Sequence, residues 1–202
     1  MSVVCNTCHR RGFLAGLTFT LIAPRIASAT NFRLLAREEW GAVAPLKGLV
    51  DQLPKAVLIH HTAVLSRPQK KLAAKMKSLQ VFSQSKEKLD SGKIKPAWPD
   101  VPYHFVIDSF GVTAEGRDPL KKGDTNTDYD PSGYLQIALE GDFTREFAGK
   151  AQLDATVELV HFLIDKYMLP KGAVYYHNEK ASTACPGENL VAALNKTLSS
   201  FR

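Results

Sequence analysis

Two kinds of apolar pattern run along this chain: short continuous runs that end at histidine or glycine, and longer stretches with apolar residues every three or four positions. Residues 56–60, Ala-Val-Leu-Ile-His, lie between Pro54 and Thr62-Ala63 and predict a buried strand that presents His60 and His61 at its end. Residues 103–107 and 112–115 flank Ser109-Phe110-Gly111 and predict a hairpin or tight connection. Residues 134–139 and 173–176 read as further strands. Helical spacing places Leu72, Met76 and Leu79 on one stripe, with Lys70, Lys71, Lys75 and Lys77 off it as a solvated face. Ser66 and Gln69 have capping-box spacing, and Pro68 suits a first turn, so this helix is expected to begin there. Leu153, Val157, Val160, Ile164 and Tyr167 mark a second helix that stops before Pro170. Leu190, Leu194 and Leu198 mark a third, beginning near Pro186. Gly92, Pro96 and Pro99 predict an irregular loop through residues 90–99, and residues 118–131 are polar and turn-rich. The mixed order of strands and helices predicts an α/β fold: a single domain with a central mixed β-sheet flanked by helices.

The first thirty residues follow a different rule. Arg10-Arg11-Gly12-Phe13-Leu14, an apolar stretch to Ala23, and Ala27-Ser28-Ala29 have the order of an export signal, and the paired arginines resemble a twin-arginine signal. The expected division is residues 1–29 as signal peptide, cleaved after Ala29, and residues 30–202 as the functional domain. A periplasmic or extracellular location follows from it. The formal charge of +6 then overstates the mature protein, because loss of Arg10, Arg11 and Arg25 leaves 23 basic against 20 acidic residues, a net of about +3. That balance suits a polyanionic cell-wall partner. Nucleic-acid binding is not expected, because the lysines do not interleave with aromatics on one stripe. No apolar run reaches the ~18 residues of a membrane span, and a monomer is expected. Cys5-Asn6-Thr7-Cys8-His9 fits a c-type haem motif, but it lies in the segment that export removes, so haem is not expected. Cys185 is the one cysteine of the mature chain.

The candidate chemistry lies in His60-His61, in Pro102-Tyr103-His104-Phe105, and in His177 followed by Cys185-Pro186-Gly187. These supply imidazoles, a thiol and a phenol, the nitrogen and sulfur donors that zinc takes; catalytic zinc sites use three protein ligands and leave a position open. A thiol just ahead of a helix is expected to feel the positive end of the helix dipole, which favours the thiolate that a metal needs, and zinc would complete that deprotonation. Spacing alone does not choose between His60 and His61.

Several blocks in register resemble the zinc-dependent N-acetylmuramoyl-L-alanine amidases, a family that includes peptidoglycan recognition proteins and phage lysozyme-like amidases. They are Arg37-Glu38-Glu39-Trp40-Gly41-Ala42, Ile59-His60-His61-Thr62-Ala63, Pro102-Tyr103-His104-Phe105, Glu115-Gly116-Arg117, Leu139-Glu140-Gly141-Asp142-Phe143, and residues 177–187. The resemblance implies Zn2+ held by His60, His177 and Cys185, and catalytic roles for Tyr103 and Thr183 at the zinc water or the carbonyl oxygen. It implies hydrolysis of the amide between the lactyl group of N-acetylmuramic acid and L-alanine, with peptidoglycan or muropeptides as partners. The alternative is a non-catalytic peptidoglycan binder, since some members have lost zinc. With His60 as the ligand, strand alternation turns His61 to the opposite face, where packing or a hydrogen bond is expected. His161 is read as structural.

The chain departs from the family at three points. Some members carry a glutamate where this chain has Ala138, so a carboxylate base would have to be Glu140 or Glu179. Thr125 stands where many members place histidine, and Tyr134-Leu135 replaces a small-residue pattern. Trp98 lies in the proline-rich loop, either rimming the groove or packed beneath it.

Overall fold

The computed structural model describes residues 34–89, 91–199 and 201. The expected leader, with its twin arginines and its C-x-x-C-H motif, lies outside the described residues.

The elements run β1 (Leu34–Leu35), α1 (Arg37–Trp40), β2 (Ala56–His61), α2 (Leu72–Gln84), β3 (Glu87–Lys88), β4 (Ile94–Lys95), β5 (Phe105–Ile107), β6 (Thr113–Glu115), β7 (Tyr134–Leu139), α3 (Lys150–Tyr167), β8 (Val174–Tyr176) and α4 (Glu188–Thr197). Six strands form one sheet in the order β1-β6-β5-β7-β2-β8. Every pairing in it is parallel except the β5–β6 hairpin. All six residues of β2 are buried, as a strand covered on both faces must be.

Alternation along β2 and β7 sorts the core into two layers. Val57, Ile59, Ile137 and Leu139 pack with Leu159, Leu163, Leu190 and Leu194 of α3 and α4. On the other face Val106, Ala114 and Ala138 pack with Trp40, Leu72 and Met76 of α1 and α2. His60 stands in register with Ala138 and shares this second face.

Four local expectations are corrected. The helix α2 begins at Leu72, not near Ser66, because Ser66 is engaged elsewhere: its N–H donates to Glu146 Oε1 (3.0 Å) and its hydroxyl to the Glu140 carbonyl (3.4 Å). Lys75 is not simply solvated; its ammonium meets Glu140 at 2.6 Å. The buried arc of α3 is Gln152, Ala155, Thr156, Leu159, Val160 and Leu163, with Leu153, Val157, Ile164 and Tyr167 half-buried at its margin. Two polar residues disguise that arc: Gln152 donates to the carbonyls of Ile107 and Glu140, and Thr156 to that of Gln152. The proline-containing loop also holds a small β3–β4 hairpin. Beneath it Lys95, fully buried, donates to the carbonyls of Ser83, Ser85 and Pro96 and lies 4.6 Å from the Trp98 ring centroid. Trp98 is therefore packed rather than rimming a groove.

Candidate metal centre

Three segments converge on the α2 side of the sheet. The end of β2 brings His60, a 3-10 turn at His177–Glu179 directly after β8 brings His177, and the loop before α4 brings Cys185. One donor atom from each lies within 4.8 Å of the other two. Cys185 Sγ stands 3.8 Å from His60 Nδ1, close to the about 3.5 Å that two ligands of a tetrahedral zinc span. The two imidazole centroids are 4.4 Å apart. Among the described residues, His60 Nε2 and His177 Nδ1 are buried with no hydrogen-bond partner, a state that buried polar atoms rarely keep. Two nitrogens, one sulfur and unsatisfied ring atoms fit a zinc ion.

Burial sets the protonation of this set. It holds His60 well below the usual histidine range, helped by His177, and brings His177 down to about 4, helped by His61. Both imidazoles are neutral at physiological pH, with lone pairs available. Burial pushes the Cys185 thiol up to about 12, against a hydrogen bond from the His61 N–H at 3.3 Å that lowers it. The expected dipole-stabilised thiolate is thus corrected: α4 starts at Glu188 rather than near Pro186, leaving Cys185 outside the first turn where the dipole acts. A metal bound there, rather than the helix, would complete the deprotonation. Gly187 permits the close packing of this loop, with φ +93° and an added Cβ only 2.4 Å from the Phe143 carbonyl carbon.

The remaining expected residues fall around this set. Tyr103 lies just before β5, its ring centroid 5.3 Å from that of His60. Burial, then Cys185 and Tyr129, raise its pKa, so it stays a protonated hydrogen-bond donor. Thr183 Oγ1 accepts the Cys185 N–H at 3.2 Å, a hydroxyl turn that shapes the thiol loop and leaves the hydroxyl proton to donate elsewhere. His61 faces the opposite layer, where its Nδ1 accepts the Phe143 N–H at 3.3 Å. His161 is exposed and meets the Phe201 ring at 4.3 Å. His104, fully buried, accepts the Gln136 N–H at Nδ1 (2.8 Å) and donates from Nε2 to the Lys121 carbonyl (2.9 Å).

The two fallback carboxylates are committed elsewhere. Glu140 takes Lys75 at 2.6 Å, the Arg67 N–H at 2.8 Å and the Ser109 N–H at 3.3 Å, and lines a cavity of about 220 Å³ with Thr62, Arg67 and Lys75. Glu179 accepts the Tyr176 N–H at 2.6 Å.

Sequence reasoning missed two neighbours of His177. Thr127 Oγ1 lies 2.6 Å from His177 Nε2 and 2.8 Å from Thr125 Oγ1, while Tyr129 stands edge-on at 5.2 Å between centroids. Both lie in the turn-rich 118–131 stretch, where no periodicity marks a residue as facing the site. A lone aromatic amid polar residues was the available signal.

A buried His-His-Cys donor set beside a phenol, on a mostly parallel sheet between helical layers, defines an α/β domain with a candidate mononuclear metal centre. The chain belongs to the N-acetylmuramoyl-L-alanine amidase family, whose model matches residues 51–188. It is 30% identical over 179 residues to peptidoglycan-recognition protein SD of Drosophila simulans, covering 85% of this chain and 89% of that protein. It is 36% identical over 162 residues to the N-acetylmuramoyl-L-alanine amidase of Sus scrofa, a match that spans 76% of this chain but only 25% of that protein. Among solved structures, a mutant of Drosophila PGRP-LB in complex with tracheal cytotoxin superposes with a TM-score of 0.68 at 27% identity, over 86% of this chain and 99% of that one.

Proposed function

We propose that this protein is an exported zinc hydrolase that cleaves the amide between the lactyl group of N-acetylmuramic acid and L-alanine in peptidoglycan. The observation that carries this reading is the complete donor set: His60, His177 and Cys185 with unsatisfied buried ring nitrogens, beside Tyr103, in a chain of the amidase family. Zinc held there supplies Lewis acidity and a lowered water pKa. Tyr103, kept protonated by burial, donates a hydrogen bond to the oxyanion that develops on the lactyl carbonyl. Thr183 holds the Cys185 loop through its oxygen, which leaves its hydroxyl proton available to the zinc water or the carbonyl oxygen. Peptidoglycan or a released muropeptide as substrate is supported by the relatives' names and by the tracheal cytotoxin complex. Export by the signal in residues 1–29 would place residues 30–202 in the periplasm or outside the cell. Among the described residues, no helix is long and apolar enough to cross a membrane.

The purified protein is expected to contain one zinc per chain and to release stem peptides with a free N-terminal alanine from peptidoglycan. Chelator or Cys185→Ala should abolish release. Release indifferent to both overturns the metal role. Peptidoglycan binding without zinc or hydrolysis would establish the recognition reading instead, which the similarity to peptidoglycan-recognition protein SD favours.

A further inference from the structure

Tyr134 occupies a position where small residues are expected, and its neighbours give it a context. Ring centroids step from His177 to Tyr129 (5.2 Å), from Tyr129 to Tyr134 (6.2 Å) and from Tyr134 to Tyr175 (6.2 Å). The three tyrosines therefore form a ridge that starts at the candidate metal centre. Each is half-buried, so part of each ring meets solvent. Interplanar angles of 61°, 72° and 87° make the contacts edge-to-face rather than stacked, so no ring is sandwiched flat against its neighbour in the ridge. Lys180 lies across one end, its ammonium 3.5 Å from the Tyr175 centroid and 5.9 Å from that of Tyr134. Among the described residues, neither the Tyr134 nor the Tyr175 phenol has a hydrogen-bond partner.

We propose that this ridge is a carbohydrate platform that takes neutral acetamido-sugar rings extending from the metal centre. The proposal deepens the amidase reading, in which the acyl side of the scissile bond carries a glycan that must leave the centre along some surface. A pyranose ring has an apolar, slightly electropositive C–H face and a rim of hydroxyls. A half-exposed tyrosine offers the complement: an apolar ring with a negative face, and a phenol at its edge. The two free phenols can donate to sugar hydroxyls and to an acetamido carbonyl. A stem peptide fits this surface poorly. Its carboxylates would meet Asp128 and Asp130, exposed on either side of Tyr129, with the Lys180 charge already turned onto an aromatic face.

The test titrates the full-length protein with two probes that lack the scissile amide, the neutral tetramer of N-acetylglucosamine and a free stem tetrapeptide. The tetramer is expected to bind saturably, and Tyr134→Ala and Tyr175→Ala each to weaken it about five- to tenfold while leaving tetrapeptide affinity unchanged. Tyr134→Phe and Tyr175→Phe, which keep the ring, are expected to retain most of the affinity. If the alanine variants fail to fold, saturation-transfer NMR on the parent should show tetramer contacts to tyrosine ring protons. Absence of saturable tetramer binding, or variants that lose the peptide and spare the sugar, overturns the platform. Hydrolysis and zinc content are measured on the same samples. A tyrosine-dependent sugar affinity without hydrolysis sinks the amidase reading alone, and hydrolysis with no tyrosine-dependent sugar affinity sinks the platform alone.

Discussion

The contact between Thr127 and His177 makes a prediction about metal affinity. Thr125 Oγ1 accepts the Thr127 N–H at 3.0 Å and stands 2.8 Å from the Thr127 hydroxyl. When His177 Nδ1 offers its lone pair to a metal, Nε2 carries the ring proton and donates to Thr127 Oγ1 at 2.6 Å, and the Thr127 hydroxyl then donates to Thr125. That arrangement keeps the imidazole proton on Nε2 and leaves Nδ1, the ring atom without a partner, as the lone pair offered to a metal. Thr127→Val removes the acceptor, leaves a buried Nε2–H unsatisfied, and lets the ring adopt the wrong tautomer or rotate. Loss of such a supporting contact costs about 10- to 100-fold in metal affinity, or about 1.4–2.8 kcal/mol. The assay is zinc competition against a chelating dye at neutral pH, with a thermal melt to verify folding. Thr127→Ser, which keeps the oxygen, should bind within about threefold of the parent. A folded Thr127→Val protein whose zinc affinity lies within about twofold of the parent would refute the orienting role.

Three other perturbations have readouts of their own. His104 is held at about 4 by burial, below its ordinary 6.5, so the unfolded chain takes up the proton first on acidification. Its stabilisation is full above pH 6.5 and is lost as pH falls toward 4, about 3 kcal/mol in all; His104→Gln should flatten urea-derived stability over that window by about one proton, and an unchanged slope contradicts the assignment. Lys95→Met strips a charged donor from three carbonyls, and a cost of about 2–4 kcal/mol in urea unfolding is expected; a change under about 0.5 kcal/mol would show that the ammonium merely fills space. Glu140→Gln should lower the melting temperature by loosening Lys75 and the Arg67 backbone while leaving kcat within about threefold; a hundredfold fall in kcat with an unchanged melt would reinstate Glu140 as a base.

What the sequence disclosed follows from how each signal is written into a chain. Strand β2 was legible because a strand buried on both faces needs an uninterrupted apolar run, and His60-His61 stood out as the polar end of one. The convergence of His60, His177 and Cys185 was legible because they belong to the few residue types that a metal such as zinc takes, and the family blocks keep them in register. The buried arc of α3 was not, because Gln152 and Thr156 satisfy their polar atoms against carbonyls that only the folded chain supplies. Thr127 was invisible for the same reason at the site itself. A threonine in a polar loop has no period, and only the return of the chain through β8 places a histidine against its oxygen. The thiol shows the opposite case: adjacency in sequence to a helix suggests dipole stabilisation, but one irregular turn between Cys185 and Glu188 separates them and burial takes over. Candidate metal donors are thus constrained by chemistry that residue identity reveals. The groups that hold them in one tautomer and one orientation are constrained by contacts between segments distant in sequence, so the second kind of residue has to be found in three dimensions and tested through the affinity of the first.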